Sequence, residues 1–434
     1  MSQRITRRGM LQKTAIGGMG ICLAGGRKLV RAASANEKID VAFVGIGGQG
    51  NSNLNDISKH EDLANVVALC DVDEVRVGKN FERFAKAKKY HDFRRMLDEM
   101  DKQIDAVVVS TPDHTHYHPA MTAMRMGKHL YCEKPLGHAV AEARAMTEIA
   151  AKKKLATQLG IQRHVKENMR RVVELVQSGA IGEVREVFAR KGGDRGMPDM
   201  PTEFPPIPPT LKWDLWLGPA RKRRYSPAYV PYKWRFWWDF GTGETGNWAC
   251  HILDIPFWAL GLKHPTKVSG SGPPVDKERT PKSMTMRFEF PARGKQPPVT
   301  LHWIHAKTTP PAFRERNLPT FGSVLFVGSK GMLGCSFDKR KLFPEDKFAD
   351  FEPPPQTIPK PVSFRREWLL AIRSGKPTSG GFDYAGPMAE TALLGNLAYR
   401  IGQEFEWDAK TMTAKGCPAA EPHIRPTYRK GWEI

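Results

Sequence analysis

The strongest constraint on the fold is an alternation of short apolar runs with helix-like segments between residues 39 and 154. The runs are IDVAFVG, NVVALCD, IDAVVVS and HLYCEK. The first three are rich in β-branched residues, and the apolar residues of the runs are continuous rather than alternating, which indicates strands buried on both faces of a parallel sheet. Strand–helix–strand units of this kind predict an α/β fold with a doubly wound sheet. Because 434 residues exceed one ordinary core, we expect two domains, at 36–160 and 161–434.

A glycine-rich turn directly follows the first of these strands. GIGGQG carries the pattern G-x-G-x-x-G, and the second strand ends in Asp71, as in a Rossmann dinucleotide-binding domain. The glycines let the backbone approach a pyrophosphate, and the helix N-terminus supplies unpaired N–H donors. Asp71 can accept both ribose hydroxyls and repels a 2′-phosphate, which favours NAD over NADP. The loop residues expected at the cofactor are Gly45, Ile46, Gly47, Gly48, Gln49 and Gly50.

The next two strands end in polar motifs, STPDHTHYH at 110–118 and YCEKPLG at 131–137. The three histidines of the first motif have the spacing of metal ligands, but a cofactor-facing strand end explains them better, and we expect no metal site. In the second motif, Lys134 stands at the carboxyl end of a parallel strand. There its ammonium can stabilise an alkoxide as hydride leaves carbon. A surface lysine at a turn is the alternative.

These motifs together resemble the Gfo/Idh/MocA family, the glucose-fructose oxidoreductase and inositol dehydrogenase relatives. GIGGQG, LCDVDE, STPDHTH and CEKPL occur in the family's order and spacing, and the similarity continues into WWDFGTGETGNWACHILDIPFWALG. The resemblance implies that Lys134 is the catalytic lysine. It also implies that a set of strand-end residues borders the nicotinamide half of the cofactor. The expected set beyond the glycine loop and Asp71 is Ser110, Thr111, Pro112, His116, Glu133, Lys134 and Gln162.

The stretch TGNWACHILD places Asn247, His251 and Asp254 on one face of a helix. A histidine with a pKa near neutrality can take the proton of a secondary alcohol. The resemblance implies a helix bearing Asp-x-x-x-His that faces the lysine, and here Asn247 replaces the aspartate. Since an amide cannot carry a proton, Lys134 and His251 are the expected working pair, with Asn247 as a third candidate catalytic residue and Asp254 as structural. A satisfied core histidine is the alternative for His251.

The second half of the chain has a different pattern. SMTMRFEF and VTLHWIHA alternate with period two, and SVLFVGSKGMLGCSF suggests two further strands, which predicts a mainly antiparallel sheet in an α+β domain. VSFRREWLLAIRSG and YAGPMAETALLGNLAYRIG are predicted helices. The resemblance implies an open-faced sheet and a homo-oligomer, a dimer or tetramer. One or two of five aromatic side chains are expected at a sugar ring: Trp213, Trp216, Trp234, Trp237 and Trp238.

The first 35 residues resemble a bacterial twin-arginine export signal. Arg7 and Arg8 precede a glycine-rich apolar run, and AASA offers a cleavage site. The run is too short for a stable membrane anchor. Removing seven basic and no acidic residues lowers the formal charge from +21 to +14, and the remaining charge is scattered, so we expect no nucleic-acid partner. RKRR at 221–224 is interpreted as a solvated loop. The odd, dispersed cysteines predict no disulfide framework.

The sequence therefore predicts a periplasmic, NAD-dependent oxidoreductase that acts on a secondary hydroxyl of a sugar or polyol. Outside the cytoplasm we expect no free NAD pool, so the cofactor would be carried bound and regenerated in place. That favours one alternative, a redox-neutral glycosidase or lyase that acts through a transient keto-sugar. A non-catalytic sensor is the third hypothesis, and the presence of Lys134 and His251 disfavours it.

Overall fold

The computed structural model describes residues 38–434, so the predicted export signal at 1–35 lies outside the described residues. Two sheets organise this part of the chain. The first is a six-stranded parallel sheet in the order β3-β2-β1-β4-β5-β6. Its strands are β1 Ile39–Val44, β2 Ala64–Cys70, β3 Lys88–Tyr90, β4 Ala106–Val109, β5 His129–Cys132 and β6 Thr157–Leu159.

Buried aliphatic side chains explain why the runs of the first sheet become its central strands. Every residue of β4 and β5 is buried, as continuous apolar runs covered on both faces require. The helices that cover this sheet are α1 Gln49–Ile57, α2 Glu74–Arg83, α3 Phe93–Glu99, α4 Tyr117–Arg125 and α5 Val140–Lys153. The order of strands, with β1 and β4 adjacent at the centre, is the doubly wound arrangement, so the predicted Rossmann fold is confirmed.

The second sheet has nine strands in the order β13-β12-β11-β7-β10-β9-β8-β14-β15. All of its pairs are antiparallel except β7 with β10, so the predicted mainly antiparallel sheet is confirmed. The strands are β7 Val184–Lys191, β8 Lys267–Ser271, β9 Met284–Phe290, β10 Val299–His305, β11 Val324–Gly328, β12 Met332–Cys335, β13 Arg340–Phe343, β14 Phe405–Asp408 and β15 Thr413–Lys415. In β9, buried and half-buried side chains alternate, which is the period-two pattern seen in the sequence.

Seven helices accompany the second sheet within residues 38–434. They are α6 Glu167–Gln177, α7 Trp213–Leu217, α8 Gly243–Leu260, α9 Pro311–Glu315, α10 Phe364–Ser374, α11 Phe382–Ile401 and α12 Glu421–Ile424. Both predicted C-terminal helices are present, and each ends at a glycine with positive φ, Gly375 and Gly402. Helix α11 also packs against α5, where Arg144 and Glu390 pair at 2.7 Å. The domain limits 36–160 and 161–434 stay predictions.

Two smaller sequence interpretations, on the cysteines and on RKRR, have outcomes within the described residues. Cys70, Cys132, Cys250, Cys335 and Cys417 are all buried free thiols. The segment RKRR is not simply solvated, because Arg221 and Arg223 form ion pairs with Asp239 and Glu278. No helix within residues 38–434 is both long enough and apolar enough to cross a membrane.

Candidate active site

The candidate site is a cavity of about 450 Å³ that runs from the glycine loop to helix α8. It lies at the carboxyl ends of the parallel strands, where doubly wound sheets bind ligands. All three candidate catalytic residues line it, as do most of the predicted cofactor set. Only Ile46, Gly48 and Gly50 of that set do not contribute to its wall.

The glycine loop is packed too closely for side chains. Gly45 has a φ of 80°, and a Cβ on Gly50 would lie 2.0 Å from the carbonyl oxygen of Gly45. A Cβ on Gly47 would lie 2.8 Å from Nε of Arg76, whose Nη1 donates to the Pro231 carbonyl at 3.0 Å. The loop therefore forms a bare backbone cradle at the start of α1 with a guanidinium beside it, which suits an anionic ligand.

Asp71 ties this loop to the end of β2. Its Oδ2 accepts the Ile46 backbone N–H at 2.8 Å, and its Oδ1 accepts the Asp73 N–H at 3.1 Å. Burial raises the pKa of Asp71 above its ordinary value. Each carboxylate oxygen keeps a further lone pair, so the group can still accept hydroxyl hydrogen bonds from the cavity.

Two residues of the predicted cofactor set that line the cavity each have a buried polar atom with no hydrogen-bond partner among residues 38–434. The atoms are Oγ1 of Thr111 and Oε1 of Gln162. Orphaned polar atoms are costly when buried, and both of these belong to the predicted cofactor set. Together with the bare cradle, they fit a dinucleotide with hydrogen-bonding groups along its length.

The histidines that follow β4 lie within hydrogen-bonding distance of backbone carbonyl oxygens of the protein. His116 lies between two carbonyl oxygens, Nδ1 2.7 Å from that of Pro135 and Nε2 2.8 Å from that of Thr111. His114 Nε2 is 3.0 Å from a backbone oxygen, and burial lowers the pKa of His114 to about 3. His118 Nε2 is likewise 2.8 Å from the Trp432 carbonyl. No cluster of potential metal ligands occurs within residues 38–434.

Glu133 is held by a chain of buried polar contacts that the sequence did not suggest. Asn53 Nδ2 donates to Glu133 Oε1 at 3.0 Å and to Ser110 Oγ at 2.9 Å. Arg365, on α10, donates in turn through Nε to Asn53 Oδ1 at 2.9 Å. A C-terminal helix therefore positions two strand-end residues of the first domain. Asn53 lies three residues after Gly50 on α1, but nothing in the sequence marks Arg365.

Lys134 reaches from the end of β5 to helix α8. Its Nζ donates to Asn247 at two points, Oδ1 at 2.9 Å and the backbone oxygen at 2.8 Å. The Asn247 amide also contacts Glu244, since its Nδ2 donates to Glu244 Oε2 at 3.2 Å. Burial lowers the pKa of Lys134, although the nearby Glu133 charge opposes that effect.

His251 lies one turn further along α8 and lines the same cavity. Its Nδ1 is buried and has no hydrogen-bond partner among residues 38–434. Burial lowers the pKa of His251 well below its ordinary value, and the charges of Lys134 and Arg163 lower it further. The ring is thus neutral at neutral pH and can accept a proton.

Asp254 faces away from this chemistry. Its carboxylate is fully buried and lies 2.9 Å from His164 Nδ1, while the Tyr384 hydroxyl donates to it at 2.6 Å. The His164 ring stacks on Trp258 at 4.1 Å. These contacts fix α8 against neighbouring segments, in keeping with the structural role predicted for Asp254.

Aromatic and charged side chains form the outer wall of the cavity. Of the five tryptophans singled out in the sequence, Trp216 and Trp234 line it, and the other three pack in hydrophobic clusters. The sequence did not single out Trp248, which also lines the wall. Its position next to Asn247 on α8 was the available signal.

Comparison with known proteins places this geometry in a family. Residues 39–161 match the oxidoreductase family domain with an NAD-binding Rossmann fold, and residues 186–289 match the C-terminal alpha/beta domain of the same family. The two matches together span just over half of the chain. The chain belongs to the Gfo/Idh/MocA oxidoreductase family, as the sequence motifs implied. The predicted cofactor, NAD, is confirmed by the match to an NAD-binding domain, into which the cradle and Asp71 fit.

Similar curated proteins include inositol 2-dehydrogenase of Salmonella typhimurium (strain LT2), 26% identical over 166 residues, which are 38% of this chain and 49% of that protein. Levoglucosan dehydrogenase of Pseudarthrobacter phenanthrenivorans is 26% identical over 180 residues, 41% of this chain and 38% of that protein. The chain thus spans about half or less of the length of these relatives.

Similar solved structures extend the likeness across most of the fold. One is the WlbA dehydrogenase from Bordetella pertussis in complex with NADH and UDP-GlcNAcA, with a TM-score of 0.61, 16% identity and coverage of 86% of this chain and 99% of that one. Another is the aldose-aldose oxidoreductase from Caulobacter crescentus, with a TM-score of 0.56, 18% identity and coverage of 85% and 100%. At these identities the likeness shows the fold alone.

Proposed function

We propose that this protein is an NAD-dependent oxidoreductase that acts on a secondary hydroxyl of a sugar or polyol. The observation that carries the proposal is a half-buried lysine ammonium and an unpartnered histidine nitrogen that line the same cavity, which begins at the dinucleotide cradle. The inositol and levoglucosan dehydrogenases among the similar proteins support a polyol or sugar substrate. Bound NAD supplies the hydride acceptor.

Lys134 and His251 divide the proton chemistry between them. The carbinol hydrogen leaves as hydride, the hydroxyl proton passes to His251, and a ketone remains. The Lys134 ammonium donates to the substrate oxygen and stabilises the negative charge that grows there. Because two hydrogen bonds to Asn247 anchor its Nζ, the ammonium is held in position before substrate arrives.

Asn247 is proposed to act as an electrically neutral bridge. It accepts from Lys134 on one side and donates to Glu244 on the other, which an amide can do and an ionised carboxylate cannot. Glu244 is 1% exposed, and Nε of Arg195 donates to its Oε1 at 3.1 Å. A carboxylate at position 247 would face Glu244 directly. Asparagine in place of the family's aspartate at position 247 is therefore compatible with the adjacent Glu244 carboxylate.

Export by the twin-arginine route to the periplasm, with NAD already bound, is proposed from the N-terminal motif. Homo-oligomerisation is proposed from the family resemblance. Mass spectrometry of the purified, denatured protein tests the bound cofactor. We expect one nucleotide per chain, and complete loss of nucleotide on dialysis would contradict tight binding.

The activity itself is tested by NADH formation with a panel of inositols and aldoses, using Lys134→Ala as the inactive control. Absence of turnover with every member would contradict the proposed oxidoreductase.

A redox-neutral glycosidase or lyase remains the alternative, and one observation favours testing it. Such a cycle needs a further base for the proton beside the transient ketone. The Tyr232 hydroxyl lines the cavity and accepts a hydrogen bond from Arg195 Nη1 at 2.9 Å. Release of nitrophenol from a nitrophenyl glycoside without added NAD, lost in Lys134→Ala and in Tyr232→Phe, would favour this cycle. Net NADH accumulation from free sugars would favour the dehydrogenase.

A further inference from the structure

Two arginines stand beside the proposed proton-handling pair. Arg163 and Arg235 both line the cavity that contains Lys134 and His251. The charge of Arg163 contributes to lowering the pKa of His251, and that of Arg235 contributes to lowering the pKa of Lys134. Both guanidinium groups are therefore close enough to act on groups at the substrate end of the cavity.

Neither arginine side chain has a hydrogen bond or an ion pair with any residue in 38–434. Each is held instead by stacking on aromatic rings. Arg163 lies 4.6 Å from the ring centre of Phe337 and 5.5 Å from that of Trp248. Arg235 lies 4.2 Å from the ring centre of Trp234 and 4.5 Å from that of Tyr232. Stacking occupies the faces of a guanidinium and leaves its N–H edge free.

Other cations around the cavity are partnered, which makes the two free guanidinium groups unusual. Arg195 pairs with Glu244, and Lys134 donates to Asn247.

The nearby carboxylates are engaged as well. Glu133 accepts from Asn53, and Asp113 Oδ2 accepts from the Thr242 hydroxyl at 2.6 Å. The substrate end thus carries two guanidinium groups whose N–H donors no protein group satisfies, and covering those donors with a ligand that cannot accept hydrogen bonds would be costly.

We propose that the substrate is an anionic sugar whose carboxylate, sulfate or phosphate group is bound by Arg163 and Arg235. The planar N–H edge of a guanidinium matches two oxygens of such a group, and two guanidinium groups stacked on rigid aromatic supports lose little freedom on binding. This inference rests on the proposed function, because it assigns the substrate class of the same cavity.

The test compares charged sugars with neutral sugars of the same stereochemistry. Glucuronate, glucose 6-sulfate and glucose 6-phosphate are set against glucose, and the galacto and manno series are treated in the same way. For each sugar, binding to the NAD-loaded full-length protein is measured by calorimetry, and kcat/KM is measured from NADH formation. The three charged arms distinguish carboxylate from sulfate and phosphate.

We expect at least one charged sugar to bind about 10- to 100-fold more tightly than its neutral counterpart, a preference that falls as salt is added. Arg163→Gln and Arg235→Gln should each lower the charged-to-neutral ratio about tenfold or more. Arg95→Gln is the matched control, because Arg95 is 74% exposed, pairs with Glu99 and lies outside this cavity. Thermal melting verifies that each variant is folded.

Several results would overturn the inference and leave the proposed function intact. One is the finding that the neutral sugar of each series binds and reacts as well as every charged sugar of that series. Another is an unchanged preference for the charged sugar over its neutral counterpart in both Arg163→Gln and Arg235→Gln. A variant that loses NAD affinity but keeps the sugar preference would assign its guanidinium to the dinucleotide. Since calorimetry needs no turnover, tight binding of a charged sugar without NADH formation would instead contradict the proposed oxidation.

Discussion

Replacing Asn247 by aspartate is the most informative single change at this site. The new carboxylate would take the place of an amide whose Oδ1 lies 2.9 Å from Lys134 Nζ and whose Nδ2 lies 3.2 Å from Glu244 Oε2. With an effective dielectric constant of ~20, attraction to Lys134 is about 6 kcal/mol and repulsion from Glu244 about 5 kcal/mol. The two contributions nearly cancel, so in this partly buried position we expect the new carboxyl to keep its proton into the neutral range.

The expected result is an asymmetric change in the pH dependence of kcat/KM for alcohol oxidation. In the parent protein, we expect the acid limb to report His251, whose pKa burial lowers, and the alkaline limb to report Lys134, whose pKa burial also lowers. An ionised Asp at 247 raises the pKa of Lys134, so the alkaline limb should move up by about 1–3 units. The acid limb should move less, because the new carboxyl at position 247 is still protonated in that pH range.

A second substitution makes the explanation testable. In Asn247→Asp with Glu244→Gln the repulsion is removed, the carboxyl ionises at lower pH, and both limbs should rise together. Profiles are measured from NADH formation across the pH range, with melting curves to verify folding. An unchanged profile in both variants would refute any electrostatic link between position 247 and the reaction.

Three further outcomes follow from named contacts. Lys134→Ala should lower kcat about 10²- to 10³-fold while bound NAD, measured after denaturation, is retained; loss of the nucleotide instead would contradict its proposed role. Gly50→Ala should destabilise the protein by about 1–3 kcal/mol and reduce bound NAD, because its Cβ would lie 2.0 Å from a backbone oxygen, whereas Gly78→Ala, with no atom within 4 Å, should be tolerated. His114 has a folded pKa of about 3, so the unfolded chain binds the extra proton below about pH 6.5 and stability falls as the pH falls. Between pH 6.5 and 4.5 this loss is about 2 kcal/mol, and urea unfolding of His114→Asn should show a correspondingly smaller loss on acidification.

Strong local patterns made much of the fold predictable from the sequence. The four runs became β1, β2, β4 and β5, since continuous apolar runs of this length between helix-like segments favour buried parallel strands. Strand β3, with the sequence KKY, was not predicted, because its lysines are exposed and it lies at the sheet edge. The parallel pairing of β7 with β10 was also missed, because pairing between distant segments leaves no local signal.

The candidate site was predictable where its residues lie close together in the sequence. The glycine loop, Lys134 and His251 stand in short motifs at strand ends or on one helix. The supporting contacts were not predictable, because they join residues far apart in sequence. Arg365 reaches Asn53 across 312 residues, and Arg235 lines the cavity from a short 3-10 helix, Lys233–Phe236, that carries no sequence motif. Such contacts depend on tertiary packing, which local propensity does not encode.

The contact between His118 and the Trp432 carbonyl has a consequence for how the protein is made. It joins residues 314 positions apart, and Trp432 itself lines the cavity. A chain emerging from the ribosome can form the parallel sheet early, but the cavity wall is incomplete until residue 432 has been synthesised. Capture of the dinucleotide in its final surroundings is therefore a late event in biosynthesis, and a chain interrupted shortly before that point would lack part of the cavity wall.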